Sequence, residues 1–135
     1  MIKEFVDSWY KNYPVLENAL RLEHPESYTE LVNMVIGHII NPEEKYGMPD
    51  RKNMTVVDNG DYQGTLVYVI PEIGYQPSDY WYVRVYYGSC SGCDTLQAIR
   101  DYGYDKPTEK QVNEYMTLAL HIVQRMKKMD DTEAE

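Results

Sequence analysis

The dipeptide Asn59-Gly60 constrains this chain more than any other pair of its residues. A type I′ turn needs positive φ at both central positions, and Asn-Gly meets that demand at the lowest steric cost. The runs on either side, Thr55 to Asp58 and Asp61 to Ile70 (DYQGTLVYVI), are rich in β-branched and aromatic residues. The spacing predicts a hairpin closed at Asn59-Gly60. Asp58 and Asp61 then read as turn formers rather than as paired carboxylates for acid–base work. A Gly/Pro loop from Pro71 to Ser78 leads into Tyr80 to Tyr87, where Trp81, Val83, Val85 and Tyr87 alternate with Tyr80, Tyr82, Arg84 and Tyr86. Period-two alternation predicts one apolar face and one tyrosine-lined face, and the short connections predict a three-stranded antiparallel meander.

Helical signals surround that meander. Ile2, Phe5, Val6, Trp9 and Tyr10 recur at helical spacing, and Val15, Leu16, Ala19 and Leu20 resume the pattern after Pro14, which predicts a kinked or broken helical pair. Ser27 and Glu30 form a capping-box pattern that opens a helix running to about Ile40, where Asn41-Pro42 stops it. The stretch from Asn41 to Asn53 has no period and reads as a connecting loop. Leu96 and Ile99 predict a short helix from about Asp94 to Tyr102. Thr108 and Gln111 form a second capping box, opening a helix to about Lys128 with Val112, Tyr115, Met116, Ala119, Ile122, Val123 and Met126 on its apolar stripe. The expected fold is α+β, with N-terminal and C-terminal helices flanking the meander.

At 135 residues the chain suits one domain, taken as 1–129, followed by an acidic tail at 130–135. A formal charge of −9 disfavours sequence-independent attraction to phosphate backbones or anionic lipid. Nucleic acid and membrane are therefore not expected as partners. An acidic surface that mimics nucleic acid is the minor alternative to one that serves solubility. No segment approaches the length of a membrane span, and MIKEFVDSWY carries acids where a signal peptide would be apolar, so a cytoplasmic location is expected. Tyrosine is over-used, at 14 residues against one Phe, and so many hydroxyls suit a partly wet surface or interface.

One loop is made almost wholly of small residues: Gly88, Ser89, Cys90, Ser91, Gly92, Cys93, Asp94 and Thr95. It joins a predicted strand to a predicted helix, a layout suited to three chemistries. Backbone N–H groups there could converge on a phosphate or carboxylate, although no lysine follows as in a nucleotide P-loop. The CxxC pair at Cys90 and Cys93 could be a redox dithiol, but the strands that a thioredoxin fold needs after it are missing. The same pair is half a zinc site, and the other half would have to come from His24, His38, His121 or a carboxylate elsewhere. His38 lies near Met34 and Val35 and is expected to be a hydrogen-bonded core residue, and His121 is expected to be exposed. Against all three stands a tight turn packed by two small thiols, with Ser91 or Asp94 as its cap. No metal or cofactor is assigned on these grounds.

The segments DYQGT at 61–65 and YYGSCSGCDTLQ at 86–97 resemble a pattern in small uncharacterised proteins of bacteriophages and their bacterial hosts. That resemblance covers about the middle third of the chain. It implies a viral or prophage origin and the role of an accessory factor that binds a host component. The expected function is accordingly non-catalytic, with a host protein or a small anionic ligand meeting either the small-residue loop or the face formed by Tyr80, Tyr82, Arg84 and Tyr86. The alternative is a metal- or thiol-dependent protein built on Cys90 and Cys93, and self-association into a homodimer stays open.

Overall fold

A computed structural model describes residues 2–58, 64–75, 77–87, 95–100 and 106–129. The first helix, α1 (Lys3–Leu22), is continuous through Pro14 and buries Phe5, Trp9, Leu16 and Leu20 along one stripe. The break expected at Pro14 does not occur. Proline removes one backbone donor, that of residue 14, and both Pro14 and Tyr10, whose carbonyl loses its partner, lie on the exposed side where water can replace it.

The second helix, α2 (Tyr28–Val35), starts where Ser27 predicts. The Ser27 hydroxyl accepts the N–H of Glu30 at 3.1 Å, and the Glu30 carboxylate reaches back to the N–H of Glu26 instead of closing the box on Ser27. The helix continues as a π-helical turn over Ile36–Ile40 and stops at Asn41. Asn41 is buried and fully engaged. Its N–H bonds the Ile36 carbonyl, its side-chain oxygen accepts the N–H of Lys45, and its side-chain NH2 donates to the carbonyls of Pro49 and Lys45. This one side chain gives order to the aperiodic stretch after it, which is further pinned where Gly47, Met48 and Asp50 exchange backbone bonds with Pro71 and Ile73.

Strands β1 (Thr55–Asp58), β2 (Gly64–Pro71), β3 (Tyr80–Tyr87) and β4 (Lys127–Met129) form one antiparallel sheet in the order β1-β2-β3-β4. The chain is therefore α+β. Two sequence expectations need correction. The β1–β2 pair is present, but Asp58 pairs with Leu66, so residues 59–65 separate partners that a turn at Asn59-Gly60 would have placed three positions apart. Residues 59–63 themselves lie outside the described residues. Every residue of β1 is exposed, so its alignment follows β2, whose own register is fixed by burial of Tyr68 and Ile70.

The second correction is the fourth strand. The helix α4 (Glu109–Arg125) has the complete capping box expected at Thr108 and Gln111, yet it ends three residues short of Lys128. Met126 turns to extended backbone (φ −69°, ψ 131°), and Lys127–Met129 then pairs with Tyr82–Tyr80. Burial decides this. Met126 is fully buried at the turn, and backbone pairing with β3 replaces the bonds of another helical turn.

The helices do not flank the sheet but gather on one of its faces. Phe5 of α1 meets Trp81 of β3 with ring centroids 6.2 Å apart, and Thr29 of α2 shares a 3.0 Å hydrogen bond with the Tyr68 hydroxyl of β2. The core consists of Leu66, Tyr68, Ile70, Trp81, Val83 and Val85 from the sheet against the apolar stripes of α1, α2 and α4. A short helix, α3 (Thr95–Arg100), adds Leu96 and Ile99 to it.

Candidate functional site

The small-residue loop falls almost wholly outside the described residues. Gly88, Ser89, Cys90, Ser91, Gly92, Cys93 and Asp94 are not among them, and Thr95 is described only as the start of α3. The Leu96 N–H that follows is occupied, because it donates to the Tyr28 hydroxyl at 3.1 Å. At the other end of α3 the Gln111 side chain donates to the Ile99 carbonyl. Among the described residues no group of three His, Cys, Asp or Glu side chains could hold a metal ion.

The three histidines occupy separate environments. His24 is buried, with Nδ1 2.7 Å from the Tyr115 hydroxyl. His38 is half-buried on the π-helical turn, where burial first and the nearby Arg51 guanidinium second push its pKa below the ordinary 6.5. His121 is exposed, on the side of α4 that faces away from the main core stripe.

The alternation predicted for Tyr80 to Tyr86 is present. Trp81, Val83 and Val85 are buried, whereas Tyr80 and Tyr86 are 36% and 66% exposed, Arg84 is exposed and Tyr82 is half-buried. Among the described residues no helix covers this outer face. The Arg84 guanidinium lies 5.4 Å from the centre of the Tyr82 ring, a cation–π contact between neighbours on the same face of β3.

The face ends at a cleft. Because β4 is short, it pairs only with Tyr80, Trp81 and Tyr82, and from Val83 onward β3 has no strand on that side among the described residues. The last turns of α4 run past this open edge. On the outer side lies a depression of about 440 Å³ with Tyr82, Arg84 and Tyr86 from β3, Gln124 and Arg125 from the end of α4, and Lys127 from β4. On the helix side lies a second, of about 520 Å³, with an apolar floor that includes Val85, Ile99 and Leu118. Another part of its lining comes from α4, which carries half-buried Glu114 and exposed Thr117 and His121 at helical spacing. Tyr86 and Arg125 belong to both.

The electrostatics of the outer depression invert those of the molecule. Its described lining holds three cations and no carboxylate, in a chain of net charge −9. Of the other cations, Arg21 joins Glu17 and Glu109, Lys45 joins Glu43, Lys52 and Arg51 lie against Glu44, and Lys128 joins Asp79. Arg84, Arg125 and Lys127 make no ion pair with any described residue. Like charges gathered without counter-charge repel one another, and an anion relieves that cost.

Sequence reasoning found Tyr82, Arg84 and Tyr86 but missed Gln124, Arg125 and Lys127, because a helix extended to Lys128 points the last two in unrelated directions. One signal was available. Leu118 is an apolar residue off the main stripe of α4, aligned with His121 and Arg125, and in the fold it is half-buried against the edge of the core. Comparison of the chain with protein-family models, with curated proteins and with solved structures finds no match.

Proposed function

We propose that this chain is a binding protein that acts without catalysis, as an accessory factor of the phage type that its DYQGT and YYGSCSGCDTLQ segments resemble. It holds an anionic group, either of a small ligand or of an acidic patch on a host protein in the host cytoplasm, against the outer face of β3. One observation carries this: Arg84, Arg125 and Lys127 meet beside Tyr82 and Tyr86 with no carboxylate in the described lining, on a molecule that is otherwise acidic. Exposed Tyr86 and half-buried Tyr82 beside arginine suit recognition because tyrosines add large contact area with few rotatable bonds.

The test is an NMR titration of the amide signals with pyrophosphate and, separately, with a polyglutamate peptide. Shifts concentrated at 82–86 and 124–127, weakened by added salt and lost in an Arg84→Glu, Arg125→Glu variant that keeps the native spectrum, are the expected result. Absence of shifts there with both probes overturns the assignment.

A further inference from the structure

The two depressions adjoin at Tyr86 and Arg125, which line both. They differ in what they offer. The outer one presents three cations and the Tyr82 ring, which together suit a phosphate group. The inner one presents the side chains of Val85, Ile99 and Leu118 beneath Glu114, Thr117 and His121, which suits a flat apolar body with polar edges. Glu114 contributes an acceptor carboxylate about three helical turns from Arg125, so the anionic end of a ligand belongs at Arg125 and its hydrogen-bond donors belong at Glu114. The size of each depression is that of a small-molecule site.

We propose that the cleft between the open edge of β3 and the last turns of α4 is a nucleotide site. It takes a nucleoside diphosphate whose base carries an amino group. The base lies over Leu118 with its donors on Glu114, Tyr86 stacks on or beside the sugar and base, and the phosphates rest on Arg84, Arg125 and Lys127. This rests on the anionic-ligand assignment above and adds the inner depression to it. The overall charge of −9 does not oppose such a ligand as it would a long polyphosphate, since a diphosphate brings few charges and places them beside cations.

Calorimetric titration of the full chain with GDP, ADP, pyrophosphate and guanosine tests it. GDP or ADP is expected to bind about tenfold or more tightly than pyrophosphate, the increment reflecting the base in the inner depression. Leu118→Trp fills that depression from a half-exposed helix position; it should remove the advantage of the nucleotide and leave pyrophosphate binding unchanged. Glu114→Gln should weaken GDP and spare pyrophosphate. Pyrophosphate binding equal to that of both nucleotides overturns the nucleotide site while leaving the anionic face standing. No binding of pyrophosphate or of either nucleotide overturns the nucleotide site outright, and polyglutamate in the NMR titration then decides whether the anionic face survives.

Discussion

Every functional statement above depends on the outer face of β3 being open, and a paired substitution measures that directly. Val83 is fully buried opposite Tyr68, which is also fully buried, whereas Tyr82 projects from the other side of the same strand. Val83→Ala removes the equivalent of two methylene groups, about 1.6 kcal/mol of transfer free energy at ~0.8 kcal/mol each. The cavity left between sheet and helices cannot fully collapse, because β3 is held by a strand on each side near its start, which raises the cost to roughly 2–3 kcal/mol. Tyr82→Ala forfeits an exposed cation–π contact and some strand preference, together about 1 kcal/mol or less. Urea denaturation followed by tryptophan fluorescence reads the difference as a lower midpoint for Val83→Ala at unchanged slope, and a thermal scan should show a fall of roughly 8 °C. Equal losses for the two variants would refute the reasoning, since they would mean that the outer face is covered in solution, for example by a second copy of the chain.

Acid should destabilise the protein through His38. Its folded-state pKa lies below the ordinary 6.5, so the unfolded chain binds the proton first and stability falls as pH drops from about 7 through 6.5 to the folded-state value. His38→Gln should flatten that part of a stability-against-pH curve, and an unaltered slope would assign it to other groups. Helix capping can be tested in the same assay. Ser27→Ala and Thr108→Ala should each cost about 1 kcal/mol, because each hydroxyl satisfies an N–H in the first turn of its helix, and Thr108→Ser should recover most of the loss.

What the sequence made legible was what local chemistry decides. Ser27 and Thr108 placed two helix starts because a hydroxyl cap acts within one turn. The alternation of Trp81, Val83 and Val85 with Tyr82, Arg84 and Tyr86 placed a strand with the correct sides, because side-chain direction has period two. What it hid was decided at a distance. Asn59-Gly60 promised a two-residue turn, but the partner of Asp58 was chosen by the burial of β2. Lys127 and Lys128 fit a helix as well as a strand, and the burial of Met126 together with the vacant side of Tyr80 to Tyr82 made the strand preferable. The candidate site suffers most from this, since Arg84 and Arg125 stand 41 residues apart and meet only after α4 turns back into the sheet.

The bridge from Arg21 on α1 to Glu109 on α4 spans 88 residues of sequence. Closing a loop of that size costs about 4 kcal/mol of chain entropy by the logarithmic rule, whereas joining Pro71 to Tyr80 across the β2–β3 connection costs about 2 kcal/mol. The meander is thus cheap to assemble and the α1–α4 contact dear. A folding route follows in which β2 and β3 meet early while Leu16 and Leu20 of α1 wait for α4 to arrive. Substitutions at the β2–β3 contact should then slow refolding, and those where α1 meets α4 should mainly hasten unfolding. The cleft, with one wall from β3 and the other from α4, is completed only in that late docking step, so a ligand that bound there, as proposed, would stabilise the finished molecule and not the half-built one.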